Sequence, residues 1–314
     1  MVHEYTPLFA YGKLRNYHYD SILIGSSVSD LYSTKGLNRV FNDNFVHLNN
    51  PGGTAHSYKL VLGHAFKVRG DIKRIVYVLD HFFFSGTVDR LRVTRSNLFF
   101  YYDPFYLSAI KYLTDSNMLF LSLDVIISQI IKKDYKRILY GDGDGMETFT
   151  PALFNAEAAI DSFNKKLYTS RGDELDKFYN DNAYNMDVLR QSFEFNLLQM
   201  IKTHGNTKFI IIYPPYSILE FVLLERKYNK SYHTFLDFKC YINTTLSSYD
   251  NVEIYDFQNE RNITEQLNRY QDVIHHDRAT ALYIINNLTN DKYRVKKTGA
   301  CVRDNLTAGF SLPQ

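Results

Sequence analysis

Five short apolar runs rich in Val, Ile and Tyr constrain this chain more than any other feature: residues 21–25, 45–48, 74–79, 208–213 and 252–257. Runs of this kind, without polar alternation, read as strands buried on both faces, the pattern of parallel sheets. Between them lie stretches of helical periodicity at about 55–68, 106–133, 156–167, 187–203 and 217–247, with a last one at 278–288. The alternation predicts an α/β fold: a doubly wound, mostly parallel five-stranded sheet. The third and fourth runs are separated by far more chain than a crossover helix needs. A large helical and loop insertion is therefore expected over residues 84–186, within a single domain spanning 1–314.

Open parallel sheets bind ligands beyond the carboxyl ends of their strands. The residues that follow each run are therefore the candidates for function. After the first come Ser26 and Ser27. After the second come Asn49, Asn50, Pro51, Gly52, Gly53 and Thr54. Asp80 and His81 follow the third, and Pro214, Pro215 and Tyr216 the fourth. Shortly after the fifth lie Asp272, His275 and His276. Titratable, polar or glycine-rich groups occur at all five ends.

These residue types fit one chemistry. A serine hydroxyl is a poor nucleophile until an imidazole takes its proton. The imidazole in turn needs a carboxylate on its other nitrogen to fix its tautomer. The spacing Asp272-x-x-His275 places both side chains on one side of a turn, and favours His275 over His276 as the base. A tetrahedral intermediate needs backbone N–H donors. Ser27 N–H and the N–H of Gly52 or Gly53 are candidates, because a glycine lets a ligand approach the backbone. Asp80 and Tyr216, at neighbouring strand ends, join the oxyanion and substrate-contact candidates. The competing reading of Ser26, Ser27 and Ser29 is a helix cap, and that of Gly52-Gly53 a plain turn.

The order strand–Gly25-Ser26-Ser27, strand–Asn49-Asn50-Pro51-Gly52-Gly53, strand–Leu79-Asp80, then Asp272-x-x-His275 resembles the SGNH (GDSL-like) hydrolase superfamily. It is most similar to the divergent branch of bacterial envelope and polysaccharide-modification systems. The resemblance covers most of residues 19–290, with the middle insertion unmatched. It implies a flavodoxin-like SGNH-type sheet, Ser27 as nucleophile, Gly52 or Gly53 as oxyanion donor, and Asp272 and His275 as the acid and base. The sequence departs from that pattern twice. Ser26 stands where the family often has Asp, and Asp80 stands where it usually has an Asn whose side chain donates to the oxyanion. An ionised Asp cannot donate.

Composition removes several other classes. A net charge of +2, with 22% charged residues and only short basic pairs, gives no basis for nucleic-acid binding. No stretch has the ~18 consecutive apolar residues of a membrane span. The N-terminus lacks a charged stretch followed by an apolar core, so no signal peptide is expected in this chain. Membrane association is then expected only through a segment outside it, and both a cytoplasmic and an extracytoplasmic placement fit, the resemblance favouring the envelope. Cys240 and Cys301 fit one disulfide or two buried thiols. The 26 Tyr and 23 Phe, with no Trp, fit either a sugar-stacking surface or compositional bias. Gly141-Asp142-Gly143-Asp144-Gly145 lacks the later Glu of a calcium loop, no His/Cys spacing suits zinc, and no phosphate-binding glycine motif is present. No metal or cofactor is expected.

The expected activity is a serine-dependent ester hydrolase or O-acyltransferase working on acyl groups of a cell-surface polysaccharide, or on another acylated substrate. The alternative is a catalytically weakened SGNH-like protein that binds a glycan or an assembly partner, with the aromatic-rich insertion as its surface. The separation of Ser27 Oγ from the His275 ring discriminates the two.

Overall fold

The computed structural model describes residues 6–91, 153–168, 179, 182–297, 304 and 306–310. Most of the expected 84–186 insertion, the helix expected over 106–133, the Gly141–Gly145 run and Cys301 lie outside the described residues.

Five strands, β1 (Ser21–Gly25), β2 (Phe45–Asn49), β3 (Arg74–Val78), β4 (Lys208–Tyr213) and β5 (Val252–Asp256), form one sheet in the order β2-β1-β3-β4-β5. Every pairing is parallel. All five residues of β1 are buried, so both faces of the sheet are covered at its centre. The chain runs from β1 outward to β2 and then crosses back to β3. Beyond the strand ends at that reversal, parallel sheets leave a crevice. Ser27 follows β1 and Asp80 follows β3, so both lie at this reversal.

The helices are α1 (Thr6–Asn16), α2 (Thr34–Phe41), α3 (Ala55–Arg69), α4 (Ala156–Tyr168), α5 (Met186–Phe193), α6 (Gln199–Thr203), α7 (Ile218–Lys227), α8 (Asn229–Leu246), α9 (Arg261–Thr264) and α10 (Arg278–Asn286). α5 passes into α6 through a wide turn of helix, Glu194–Leu198. The strands match their expected positions to within one residue. The single helix expected over 217–247 is two: Tyr228 leaves helical geometry (φ −133°, ψ 47°), and α8 turns back to pack against α7. α1 and α2 were not expected. α2 is nevertheless well signalled, with the Ser33 hydroxyl capping its first turn and Asn42 in the left-handed conformation at its end.

Among the described residues, many of the tyrosines and phenylalanines lie in the core. Tyr32, Tyr58, Tyr77, Tyr184, Tyr213, Tyr216 and Tyr270 are among the fully buried side chains. Buried tyrosine hydroxyls need partners. Tyr58 donates to the Asn50 carbonyl, Tyr184 to the His81 carbonyl, Tyr213 to Asn243 and Tyr270 to the Pro215 carbonyl. A smaller apolar cluster lies beside the main core, built from Phe163 of α4, Leu219 and Leu223 of α7, and Tyr270 and Val273 of the segment before α10. Among the described residues no helix is long and apolar enough to cross a membrane.

Candidate active site

β1 ends at Gly25, where the chain must turn tightly. A Cβ there would sit 2.7 Å from Ser29 Cβ and 3.0 Å from Val78 Cβ, so only glycine fits. The chain then enters a 3-10 turn over Ser27–Leu31 rather than an α-helix, with Ser26 as its cap. Ser26 Oγ accepts from Val28 N–H at 3.2 Å, and the Ser26 carbonyl accepts from Ser29 N–H and Ser29 Oγ. Ser27 is thereby presented at the first position of the turn, partly exposed.

The base arrives on a loop closed upon itself. Tyr270 and His276 form an antiparallel bridge, and Gln271 N–H donates to the His275 carbonyl at 3.1 Å. Inside this loop Val273 is fully buried in the smaller apolar cluster, which anchors it and leaves Asp272 and His275 partly exposed. The loop is also tied to the turn after β4: Ser217 N–H donates to the Val273 carbonyl at 3.1 Å, and Tyr270 Oη to the Pro215 carbonyl at 3.0 Å.

These elements bring the three expected residues together. Ser27 Oγ lies 2.7 Å from His275 Nε2. His275 Nδ1 lies 2.7 Å from Asp272 Oδ2. Asp272 Oδ1 accepts from the N–H groups of Ile274 and His275, both at 2.8 Å, which fixes the carboxylate as well as the ring. With Nδ1–H donating to the Asp272 carboxylate, Nε2 carries a lone pair towards the serine hydroxyl. Burial alone pushes the Asp272 carboxyl up, but the hydrogen bond and charge of His275 outweigh it and hold it down at about 2. Burial alone pulls His275 down. The hydrogen bond and charge of Asp272, and then the charges of Asp30 and Asp80, outweigh that and leave it raised.

His276 does not compete for the role. It is buried, its Nδ1 faces the Asp277 carbonyl at 3.1 Å, and burial holds it down at about 4.

The glycine turn sits beside the serine because Gly25 and Asn49 are register partners and Asn50 N–H donates to the Gly25 carbonyl at 2.9 Å. The two glycines differ. Gly53 N–H donates to the Asn50 carbonyl at 2.7 Å, closing the turn, and a Cβ on Gly53 would lie 2.6 Å from Tyr58 Oη. Gly53 is thus committed to the turn, which corrects the expectation of an oxyanion donor there. Gly52 adopts φ 64°, a conformation suited to glycine. Neither its N–H nor that of Ser27 has a hydrogen-bond partner among the described residues.

Asp80 and Tyr216 take a different place from the one expected. Both are fully buried, and both are occupied with each other and with Ser26. Tyr216 Oη donates to Asp80 Oδ1, and Ser26 Oγ donates to Asp80 Oδ2. Neither side chain faces open space for a substrate. The two departures from the SGNH pattern, Ser26 and Asp80, are therefore one contact. Asp30 also belongs to this region and was not among the strand-end candidates; Asn49, which was, is its partner. Asn49 Nδ2 donates to Asp30 Oδ1 at 2.8 Å, and the Asp30 charge acts on His275. The only sequence signal for Asp30 was its place three residues after Ser27.

A cleft of about 380 Å³ lies elsewhere, beside β5, and is lined by Asp250, Glu253, Asp291, Arg294, Lys296 and Lys297 among others. None of Ser27, Asp272 or His275 borders it. In comparisons with known proteins, no family model matches the chain and no curated protein matches it.

Proposed function

We propose that this protein is a serine-dependent ester hydrolase or O-acyltransferase of SGNH type. The observation that carries the reading is the continuous relay Ser27–His275–Asp272, both links at 2.7 Å, on segments that follow β1 and β5. A serine within hydrogen-bond reach of an oriented imidazole is the arrangement of an enzyme rather than a binding module. The strand order, which is that of flavodoxin-like sheets, supports the SGNH-type assignment.

In this reading Ser27 Oγ attacks the acyl carbonyl carbon while its proton passes to His275 Nε2. Asp272 holds the imidazolium through Nδ1–H. Ser27 N–H and Gly52 N–H stabilise the oxyanion. The ester C–O bond breaks as His275 returns the proton to the leaving alkoxide. Water, or a hydroxyl of an acceptor sugar, then attacks the acyl-Ser27 carbonyl while His275 takes its proton; the acyl C–Oγ bond breaks as His275 returns that proton to Ser27 Oγ, giving hydrolysis or transfer. The resemblance to envelope polysaccharide-modifying enzymes suggests O-acyl groups of a polysaccharide as substrate. Cys240 is disulfide-bonded, which suits an oxidising compartment outside the cytoplasm.

The test is labelling with a fluorophosphonate probe, together with hydrolysis of a small aryl acetate, in the wild-type protein and in Ser27→Ala. Labelling and turnover that both vanish in the variant are expected. Absence of both in the wild type overturns the reading.

A further inference from the structure

The buried carboxylate of Asp80 connects the two halves of the site, and its meaning rests on the hydrolase reading above. Ser26 has one hydroxyl proton. Given to Asp80 Oδ2, it leaves the oxygen's lone pairs for Val28 N–H, which caps the turn that presents Ser27. The second oxygen of Asp80 accepts from Tyr216, which directly follows Pro215. The Pro215 carbonyl and Ser217 N–H in turn hold the loop that carries Asp272 and His275. Hydrogen bonds, joined through the backbone of Pro215–Ser217, thus connect the turn beside the serine to the loop beside the histidine.

We infer that Asp80 is a positioning residue: as an anion that accepts from Ser26 and Tyr216, it locks the Ser27 turn in register with the Asp272–His275 loop and favours the imidazolium formed when His275 takes the serine proton. It does not donate to the oxyanion.

The surroundings agree. Around Asp80 are Ser26 and Tyr32 following β1, Tyr77 on β3, Tyr216 and Glu220 following β4, Tyr179, and His275. Burial holds the four tyrosine hydroxyls protonated and raises Glu220. His275 is the partner that gains a charge during the reaction, and the Asp80 charge is among those that raise it. Burial pushes the Asp80 carboxyl up to about 6, against the hydrogen bonds from Ser26 and Tyr216, so it is ionised above that pH.

Asparagine at position 80 separates the two roles, since it supplies an N–H donor and removes the charge. The experiment measures fluorophosphonate labelling rate, and kcat and KM for an aryl acetate across pH, in wild type, Asp80→Asn, Ser26→Ala and the double variant. Asp80→Asn is expected to lower kcat and the labelling rate about 100-fold, the cost of slight misplacement of reacting groups, with KM within about twofold. The acid limb of its kcat/KM profile moves to lower pH, because His275 has lost a neighbouring negative charge. Ser26→Ala falls in the same direction, and the double variant falls no further than Asp80→Asn alone, as residues acting as one unit do.

Wild-type or faster labelling in Asp80→Asn overturns the proposal in favour of an oxyanion role. A lowered kcat with an unmoved acid limb overturns it in favour of a purely structural brace. If circular dichroism shows Asp80→Asn unfolded, Ser26→Ala decides, and an unchanged labelling rate there overturns the proposal. A wild-type protein that is not labelled at all sinks the hydrolase reading itself, and the positioning role with it.

Discussion

Ser26 and Asp80, residues from two neighbouring strand ends, share one buried hydrogen bond at the residue that precedes Ser27. The contact couples the charge state of a carboxylate in the protein interior to the shape of the turn that presents the serine.

That burial has a cost in stability. The Asp80 carboxyl sits at about 6 in the folded chain, against ~3.9 for a solvated aspartate. The folded state therefore holds the proton more tightly than the unfolded one. The resulting stability is fully present below the unfolded value and is lost as pH rises to about 6 and beyond, a change on the order of 3 kcal/mol. Asp80→Asn is uncharged throughout and lacks this loss. Its melting temperature relative to wild type is expected to improve between about pH 4 and about pH 7. Thermal unfolding at the two pH values checks this, and an unchanged difference contradicts it.

Asp272→Asn keeps the shape of the loop but removes the charge that holds the Nδ1 proton. The imidazole is then free to adopt the wrong tautomer, and kcat is expected to fall about 10⁴-fold. Steady-state kinetics on an aryl acetate, with circular dichroism to verify folding, measures it. A loss smaller than about tenfold would mean that the carboxylate does not orient the ring.

Only neutral His275 accepts the serine proton. Burial pulls its proton affinity down, yet Asp272, Asp30 and Asp80 leave it raised above the ordinary histidine value. Activity is therefore absent on the acid side and climbs through a midpoint above ~6.5. A kcat/KM profile already flat at about pH 6 would contradict the assignment.

Gly25→Ala forces a methyl group to within 2.7 Å of Ser29 Cβ and 3.0 Å of Val78 Cβ. Overpacking of this kind costs about 2 kcal/mol or more, and here it displaces the serine turn. Gly63→Ala serves as control. Nothing lies within 4 Å of its added Cβ, and alanine in the middle of a helix is worth up to ~1 kcal/mol over glycine. The first variant is expected to melt earlier and label slowly, and the second to melt no earlier than wild type. The reverse order in a melting experiment would show that the β1 exit has room to spare.

Cys240 is disulfide-bonded, and the sequence contains two cysteines in all. Iodoacetamide added to the denatured, unreduced protein should leave the mass unchanged, and after reduction it should add two carbamidomethyl groups. Alkylation without reduction would remove the case for an oxidising compartment.

The sheet was legible because parallel strands are apolar on both faces, and such runs stand out against the polar connections around them. The relay was legible because Ser27, Asp272 and His275 lie at strand ends, where residue type carries chemical meaning. The break at Tyr228 was not, since neither Gly nor Pro marks it and the apolar periodicity runs on through it. α1 was not legible because its apolar residues form no clear stripe. The partnership of Ser26, Asp80 and Tyr216 was invisible for a deeper reason. Each residue was conspicuous alone, but their contact depends on β1, β3 and β4 being adjacent, in that order, in the sheet. Pairing order is a property of the whole chain. Gly52 and Gly53 likewise look equivalent in sequence, and only the bond from Gly53 N–H to the Asn50 carbonyl tells them apart.

The pairing of Gly25 with Asn49 has a consequence for how the protein fails. The serine turn and the glycine turn leave the sheet at the same level, so their separation is set first by strand register, and the bonds from Asn50 N–H to the Gly25 carbonyl and from Asn49 to Asp30 hold it there. A slip of one residue would displace one turn from the other by about 3.3 Å and invert the faces of the strand. Heat or denaturant that separates the two turns must therefore disturb the pairing of β1 with β2 itself. Inactivation and collapse of the central strands should be a single event, with loss of probe labelling and loss of strand signal following the same curve.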